Sequence, residues 1–393
     1  MKKPTRVTHQ PEVTLPKGNV SLTSPVYQSV KFTFATLEDS LTREAREQGF
    51  NYTRDANPTT RQLEMLAAEL QGRDDAVAVA TGMAAVWLTL LGTLQAGDRV
   101  VFCLESYRPS RVAIRKFLPR YGIEHTMVSV HDHAALEQAL ALPQTKLFLF
   151  ESPTNPMLQV ADIEKITALA RANGVTTVLD NTFAGLHQHG QYDIDFFVHS
   201  LTKYANGHGD TMGGIVIGSK EKLRALKPFA VNMGPTLDPS AAFQILRGMK
   251  TYYVRYRQHS ENATAIATYL SEHPCVKRVW FPGLESDPGF ALSQKQMDDV
   301  GGVLTFELDA TQEQTWSFID ALQIFATTAS LGSTESLVSP VRLFLGSDLS
   351  AEELDRSMIT EATVRFAVGI EHIDDLIADI DAAFAATGLG SQK

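Results

Sequence analysis

Short apolar runs alternate with amphipathic stretches between residues 57 and 245. Runs with strand character are 76–80, 100–104, 146–150, 175–179 and 196–199. Stretches with the apolar spacing of a helix are 60–70, 84–94 and 162–173. Because strands that alternate with helices are joined by crossover connections, this pattern predicts an α/β domain with a mostly parallel sheet.

The pattern changes after residue 243. A long helix is predicted over 241–270, with strands over 301–308, 325–331 and 363–370 and a final helix over 372–387. Acidic residues near the start of this final helix suit a helix N-terminus. We therefore predict a large domain over 57–245 and a smaller α+β C-terminal domain over 246–393.

Residues 1–56 have a different character from the rest of the chain. They are mostly polar, and prolines at positions 4, 11, 16 and 25 discourage helix formation. An extended segment of this kind needs a surface to lie against. We therefore predict that 1–56 is an N-terminal arm.

Composition and charge exclude several classes of partner. The 393 residues carry a formal net charge of −10, which argues against nucleic acid but allows an anionic ligand near local cations. No apolar run approaches the ~20 residues of a membrane span, and the first residues lack a signal-peptide pattern, so we expect a cytoplasmic protein. The two cysteines lack metal or redox spacing. The His-x-His pairs at 131–133 and 187–189 are expected on the surface, so no metal site is predicted.

Candidate chemistry lies where predicted strands end, because ligands of open parallel sheets bind beyond the carboxyl ends of the strands. The run 76–80 leads into Thr81, Gly82 and Met83 at a helix start, where free backbone amides attract an anion such as phosphate. Taken alone, a single glycine at a strand–helix junction more often marks only a tight turn. Asp180 ends another strand, where it could pair with a protonated ring nitrogen, bind a metal or cap the next segment.

A lysine and two hydroxyl groups follow the strand at 196–199. Lys203 comes directly after Ser200 and Thr202 and precedes a glycine-rich segment at 207–210. A lone lysine in a loop is usually a solvated charge. A lysine at a strand end beside hydroxyl groups also suits covalent binding of a carbonyl cofactor with phosphate binding next to it.

These stretches belong to a set of motifs that resembles the Cys/Met-metabolism family of pyridoxal-phosphate (PLP) enzymes. The motifs lie at 51–59, 81–85, 151–156, 178–182, 200–204 and 364–371, and the resemblance extends over roughly 18–384. It implies the aspartate-aminotransferase-like α/β fold (fold type I), PLP as cofactor and a small sulfur amino acid as substrate. The family includes cystathionine lyases and synthases of trans-sulfuration.

The resemblance also implies roles for individual residues. Lys203 is expected to bind PLP covalently and then to move protons on the substrate, and Asp180 to hold the pyridine nitrogen protonated. Tyr107 resembles the tyrosine that stacks on the cofactor ring and assists proton transfer. The residues implied to bind the phosphate through amides or hydroxyl groups are Gly82, Met83, Ser200 and Thr202.

Further residues are implied to bind substrate or to come from a neighbouring subunit. Arg365 is expected to bind the substrate carboxylate bidentately, supported by Ser330, and Asn155 is expected near the cofactor O3′. Tyr52 and Arg54 resemble a pair that reaches a neighbour's phosphate, and Tyr52 also a substrate contact. The resemblance therefore implies a homodimer or a homotetramer built as a dimer of dimers.

Two positions depart from the usual family pattern. The stacking tyrosine is followed by Arg108, Pro109 and Ser110, similar to many β-lyases, whereas methionine γ-lyases typically have cysteine at the position of Pro109. Ala329 stands in the substrate-binding segment, where other members have a glutamate or a tyrosine. From the first position we expect β-elimination of L-cystathionine or a related thioether, whereas Ala329 offers neither a charge nor a ring and leaves the specificity open. The alternatives are γ-replacement on an O-acylhomoserine, γ-elimination and, more distantly, a non-catalytic PLP-binding protein; Arg108 or Arg111 is an alternative ligand for a distal substrate carboxylate.

Overall fold

The computed structural model describes residues 2, 6, 15–42 and 49–389. A large sheet contains seven strands: β1 (Asp75–Val79), β2 (Arg99–Cys103), β3 (Glu124–Val128), β4 (Thr145–Glu151), β5 (Thr176–Asp180), β6 (Phe196–Ser200) and β7 (Gly214–Gly218). The helices in this part of the chain are α1 (Pro58–Leu70), α2 (Gly82–Thr93), α3 (Arg108–Val112), α4 (His133–Leu140), α5 (Ile163–Ala172) and α6 (Lys220–Met233). The α/β fold with a mostly parallel sheet is thus confirmed.

The order of the strands brings the predicted chemistry to one edge of the sheet. The order is β1-β7-β6-β5-β4-β2-β3, and β6, β5, β4, β2 and β3 run parallel. Strand β7 runs antiparallel to both β6 and β1. Glu151 and Asp180 are paired in register at the ends of β4 and β5. The carboxyl ends of these strands therefore meet at the position where a ligand is expected.

Both faces of the large sheet are covered, which explains its continuous apolar strands. Along β4, Leu147 and Leu149 pack into one buried cluster, whereas Phe148 and Phe150 pack into another on the opposite face. All four side chains are fully buried. Because a parallel strand covered by helices on both faces has no solvated side, its residues do not alternate between apolar and polar.

The second sheet contains five strands, in the order β10-β11-β12-β9-β8. Its strands are β8 (Val276–Trp280), β9 (Val303–Leu308), β10 (Ala326–Thr327), β11 (Leu337–Pro340) and β12 (Thr363–Ala367). The remaining helices are α7 (Pro239–Met249), α8 (Tyr252–Glu272), α9 (Phe290–Gln296), α10 (Gln312–Ala321), α11 (Val341–Phe344), α12 (Ala351–Arg356) and α13 (Ile373–Thr387). The predicted strand at 325–331 shrinks to β10, because residues 329–331 turn away and line a cavity.

The predicted helix over 241–270 is wrong as a single element, because it is divided into α7 and α8. Arg255 of α8 is buried and donates hydrogen bonds of 2.9 Å to the carbonyl oxygens of Gly248 and Tyr204. The guanidinium thus satisfies a carbonyl at the end of α7 that a continuous helix would have used internally. Arg255 therefore connects α7, α8 and the segment after β6 inside the protein. The predicted boundary after residue 245 falls inside α7.

The histidine pair at 187–189 is inside the protein instead of on its surface. His189 is buried, and its Nδ1 lies 2.7 Å from Asn181 Oδ1. His187 lies 2.8 Å from the Tyr252 hydroxyl group. Burial lowers the pKa of His189 to about 3 and that of His187 to about 4. Both rings are therefore neutral packing partners at physiological pH.

The described part of the arm lies against α1. The amide of Tyr27 donates to Thr59 Oγ1 at 3.0 Å, and Asn57 Nδ2 donates to the Tyr27 carbonyl at 2.8 Å. A single bridge joins Lys31 to Tyr52. Pro4 and Pro11 lie outside the described residues. Within the described ranges, no helix has the length and apolar character that a membrane crossing requires.

Candidate active site

A cavity of about 260 Å³ opens at the carboxyl edge of the large sheet, beneath residues of the second sheet. It contains most of the residues singled out from the sequence. These are Gly82, Met83, Tyr107, Asn155, Asp180, Ser200, Thr202, Lys203, Ala329, Ser330 and Arg365. Gly82 and Arg365, which are 283 positions apart in the sequence, thus line one space.

The start of α2 forms one end of the cavity. Thr81 caps the helix, and its hydroxyl group accepts a 3.0 Å hydrogen bond from the Ala84 amide. The amides of Gly82 and Met83 precede the first intrahelical bond and are available to an anion. A Cβ atom on Gly82 would lie 2.8 Å from Ser200 Cβ. Glycine is therefore required for this close approach, which places the helix start beside the end of β6.

Asp180 is held in a fixed orientation by Thr182. Its Oδ1 accepts hydrogen bonds from the Thr182 hydroxyl group at 2.6 Å and from the Thr182 amide at 3.2 Å. Burial raises the pKa of Asp180, and the two hydrogen bonds oppose this shift. A buried carboxylate gains most from a cationic partner. The site therefore fits a protonated ring nitrogen beside Asp180.

Lys203 is a buried amine without a carboxylate partner among the described residues. Its Nζ donates a 2.7 Å hydrogen bond to Ser330 Oγ. Burial, and then the positive charge of Arg365, lower the pKa of Lys203 to about 8. Because a neutral amine is the nucleophilic form, this environment prepares Lys203 to attack a carbonyl carbon near neutral pH.

Arg365 is fixed in an orientation that leaves one nitrogen without a partner. Its Nη1 donates to Asn155 Oδ1 at 2.8 Å, and its Nη2 donates to the Ser330 carbonyl at 2.9 Å. Its Nε is buried and has no hydrogen-bond partner. Burial lowers the pKa of Arg365 to about 10, so the guanidinium remains charged at neutral pH. A buried cation with an unused donor is suited to an incoming carboxylate.

Tyr107 stands at the rim, where 37% of its surface is exposed. It precedes α3, and its backbone amide donates to Glu151 Oε1. Burial raises the pKa of Tyr107, and the nearby Asp180 and Glu151 raise it further. The side chain is therefore a neutral phenol at physiological pH in this environment.

Glu151 is a site residue that the sequence motif contained but to which we assigned no role. It lines the cavity, is 3% exposed and accepts the Asn155 amide at 3.2 Å in addition to the Tyr107 amide. Burial and the adjacent Asp180 raise its pKa well above the usual value. Its position at the end of β4, next to the strand that ends in Asp180, was the available signal. Thr182 was missed because its hydroxyl group acts indirectly, by holding Asp180 in place.

Tyr52 and Arg54 are not brought into this cavity by their own chain. Arg54 lies over the Tyr52 ring at 5.0 Å and lines a separate cavity of about 640 Å³ beside α1 and α6. Tyr52 is 37% exposed. Their predicted role therefore requires a second subunit and stays a prediction.

Arg111 is excluded as a ligand for the substrate, because its guanidinium is already fully used. It is 1% exposed and forms an ion pair with Asp348, with Nη2 at 2.6 Å from Oδ1 and Nε at 3.0 Å from Oδ2. Arg108 is different, since its side chain is 44% exposed and its Nε lies 3.8 Å from Asp348.

The donor set as a whole fits PLP. A helix start with free amides, a buried acid and an amine of lowered pKa line the same cavity, and they would suit the phosphate, the ring nitrogen and the aldehyde of the cofactor, respectively. The residues that would hold PLP in one chain are Gly82, Met83, Tyr107, Asn155, Asp180, Ser200, Thr202 and Lys203.

Comparisons with known proteins agree with this assignment. A family model described as "Cys/Met metabolism PLP-dependent enzyme" matches residues 6–385. The chain is 37% identical over 367 residues to L-methionine gamma-lyase of Fusobacterium nucleatum subsp. polymorphum, covering 92% of this chain and 93% of the relative. It is 36% identical to cystathionine gamma-synthase 1, chloroplastic, of Arabidopsis thaliana, over 93% of this chain and 66% of the relative.

A solved structure is similar over almost the whole fold. It is that of a putative O-acetylhomoserine (thiol)-lyase from Campylobacter jejuni, which contains a pyridoxyl-lysine monophosphate group. The TM-score is 0.89 with 31% sequence identity, and the match covers 93% of this chain and 96% of that one. The similarity confirms the predicted fold type and the expectation of a PLP cofactor.

Proposed function

Because this chain belongs to the Cys/Met metabolism family of PLP-dependent enzymes, we propose that it is a carbon–sulfur lyase acting on L-thioether amino acids. The proposed leading reaction is γ-elimination, which releases a thiol, 2-oxobutyrate and ammonia from a methionine-type substrate after addition of water. The family assignment rests on the match over residues 6–385.

The composition of the cavity lining is the observation that carries the proposal. Its acidic and basic residues in the described chain are Lys203, Arg365, Asp180 and Glu151. The first three would bind the cofactor and the substrate carboxylate, and Glu151 is held by two backbone amides. The other walls include the apolar side chains of Val86, Phe183, Met212, Ala329, Leu331 and Leu345. This lining suits an uncharged thioether side chain.

The residues of the chain divide the work of elimination among them. Arg365 would bind the substrate carboxylate and so fix the orientation of the Cα–H bond. Lys203 Nζ, neutral above a pKa of about 8, would accept the Cα proton and return protons later. Ser330 Oγ, 2.7 Å away, keeps Nζ close to the Arg365 end of the cavity. Bound PLP supplies the electron sink that makes the Cα proton acidic.

The names of the relatives support the proposal that the bond at the γ-carbon is broken. The two relatives described above are a γ-lyase and a γ-synthase by name, and neither is a β-lyase. The β-elimination of cystathionine expected from the sequence is kept as the second candidate, because Tyr107 is followed by Pro109 and Ser110. Ser110 Oγ lies 3.9 Å from Met83 Sδ, so this segment lies against the start of α2.

Product analysis distinguishes the two reactions. The PLP-loaded enzyme is incubated separately with L-methionine, L-cystathionine and L-cystine, and 2-oxobutyrate and pyruvate are measured together with released thiol. The γ-lyase proposal predicts 2-oxobutyrate from methionine and from cystathionine. Pyruvate and homocysteine from cystathionine, with no 2-oxobutyrate, would replace it with β-elimination. Product formation only when a second thiol is supplied to an O-acylhomoserine would identify a γ-replacement enzyme.

The active unit is proposed to be at least a dimer. Arg54 and Tyr52 lie outside the cavity of their own chain, and Arg54 has a side chain that is 51% exposed. These positions agree with the expected contribution of both residues to a neighbouring phosphate site. A homotetramer would contain two such dimers.

A further inference from the structure

One buried ion pair crosses between the two sheet regions directly behind the cavity wall. Arg111, in α3, pairs with Asp348, which follows α11. The side chains are 1% and 5% exposed. We name this pair the clasp. Removing two such charges from water is costly, so a buried pair of this kind needs nearly ideal geometry and additional hydrogen bonds.

The remaining hydrogen bonds of Arg111 go to backbone carbonyls of two chain segments that reach the cavity. Its Nη2 donates to the Leu345 carbonyl at 2.9 Å. Its Nη1 donates to the Ser106 carbonyl, which immediately precedes Tyr107, and to the Leu104 carbonyl at 3.5 Å. Leu345 and Tyr107 both line the cavity. One guanidinium therefore connects two chain segments that each contribute a side chain to the lining of the cavity.

We infer that Arg111 and Asp348 are positioning residues that set substrate affinity and selectivity by holding Leu345 against the cavity. Leu345 is 5% exposed and packs with Val341, Leu354 and Met157. With the clasp intact, Leu345 forms a fixed apolar wall near the substrate. Without it, the segment 341–348 loses the hydrogen bonds that connect it through Arg111 to the residue preceding Tyr107, and the wall becomes less well defined. Neither residue of the clasp touches the reacting atoms.

The chain offers a matched control on the same side of the molecule. Arg115 pairs with Glu353 at 3.2 Å, one helical turn beyond Arg111, but its side chain is 31% exposed. It does not line the cavity, and its hydrogen bond goes to Glu353 and not to Leu345. Arg115→Gln therefore removes a salt bridge between the same two parts of the protein without affecting the wall.

The test uses the PLP-loaded full-length enzyme with Asp348→Asn and Arg111→Lys. Asparagine keeps the shape but loses the charge, and lysine keeps the charge but cannot bind a carboxylate with two nitrogens. We expect KM for a thioether substrate to rise about tenfold, as for loss of one charge-assisted hydrogen bond, with kcat within about threefold. Hydrogen exchange over 341–350 should become faster in both variants. Arg115→Gln should leave KM and this exchange unchanged.

Further measurements keep the inference separable from the proposed function. The inference about the clasp rests on the proposed lyase activity only for its kinetic readout. If the wild type cleaves no thioether, the lyase proposal fails, and the affinity for L-norleucine, an uncharged methionine analogue, measured from the cofactor absorbance, tests the clasp instead. Wild-type KM or norleucine affinity in both clasp variants would overturn the inference. If neither variant folds, Leu345→Ala decides, because an unchanged KM or affinity there would show that this wall is unimportant.

Discussion

Lys203 Nζ and Ser330 Oγ are hydrogen-bonded at 2.7 Å, although 127 positions separate them in the sequence. The contact joins the lysine that follows β6 to the segment that follows β10. The Ser330 carbonyl in turn accepts from Arg365 at 2.9 Å. Ser330 thus keeps Lys203 and Arg365 near each other inside the protein. Holding two positive charges together in this way should lower the free energy of unfolding by a measurable amount.

Replacing Lys203 with Met should stabilise the cofactor-free chain at pH 7. Burial and Arg365 lower the folded-state pKa of Lys203 to about 8 from 10.5, so the protonated amine is unfavourable inside the protein. We expect a gain of about 1–3 kcal/mol in the free energy of unfolding. Between pH 8 and 10.5 the unfolded wild type binds more protons than the folded one, so wild-type stability rises with pH. The difference between the two proteins should therefore narrow over this range in denaturant titrations, and a constant difference would contradict the proposed cause.

Replacing Lys203 with Met or with Ala should abolish turnover. Borohydride reduction of the wild-type holoenzyme should attach the cofactor to one peptide containing Lys203, and Lys203→Ala should bind PLP only reversibly. Peptide mapping by mass spectrometry provides the measurement. Label on another lysine would overturn the assignment of Lys203.

Arg54→Ala should weaken PLP binding even though Arg54 does not line the cavity of its own chain. If the residue serves a neighbour, mixed dimers of inactive Arg54→Ala and Lys203→Ala chains should recover activity, because one of their two sites is wholly wild type. Activity is compared before and after subunit exchange, with each variant alone as control. No recovery in verified mixed dimers would contradict a shared site.

Glu151→Gln should lower kcat/KM about 5- to 150-fold. The two carboxylate oxygens of Glu151 accept from different backbone amides, those of Tyr107 and Asn155. A glutamine has one acceptor oxygen, so its NH₂ group would face an N–H donor, at a cost of about 1–3 kcal/mol. Steady-state kinetics measure the loss.

The control for this substitution is Glu105→Gln. Glu105 is also buried and accepts two hydrogen bonds, from Ser129 at 2.6 Å and from the Val130 amide at 3.0 Å, but it does not line the cavity. The Glu105→Gln variant should have a lower free energy of unfolding and an unchanged kcat/KM. Equal kinetic losses in both variants would indicate that Glu151 acts only through general stability.

Ala329→Glu should favour substrates that have a distal amino group. Ala329 lines the cavity but ends at Cβ, so it cannot contact the far end of a long substrate. A glutamate there would add one charged contact, which typically contributes about 1.5–3 kcal/mol, or 10- to 150-fold in discrimination. The measurement is kcat/KM for cystathionine and for a shorter thioether without distal charges. A wild-type preference for cystathionine above about 1,000-fold, roughly 4 kcal/mol, would contradict the open pocket.

Local sequence signals predicted five of the seven strands of the large sheet, but not β3 or β7, and they singled out the cavity residues that follow β1, β5 and β6. Runs such as 146–150 are apolar because both faces of β4 are covered, and the polar residues that follow the strands converge at one edge. Asp180 and Lys203 could be singled out because each ends or follows such a run. The motifs that carry the family resemblance then added Arg365 and Ser330, which no periodicity could have connected to Lys203.

The features that were missed depend on contacts between distant parts of the chain. The apolar spacing continues through 241–270 and therefore predicts one helix. The break between α7 and α8 depends on hydrogen bonds of the Arg255 side chain, which the sequence pattern does not reveal. The His187 and His189 pair was expected on the surface because its partners, Tyr252 and Asn181, are not adjacent to it in the pattern. Arg111 was expected as a possible substrate ligand because the sequence does not reveal its ion pair with Asp348.

The Thr182 hydroxyl group lies between the two anchor points expected for the cofactor. It donates to Asp180 at 2.6 Å and accepts from the Ser200 amide at 2.9 Å, so the ring-nitrogen end and the phosphate end are tied to each other by neighbouring strands. The residues that would hold a bound ring are therefore fixed relative to each other at the ends of β5 and β6. On heating, the cofactor environment should accordingly persist until the large sheet itself melts, so that loss of cofactor absorbance and loss of secondary structure coincide in one transition.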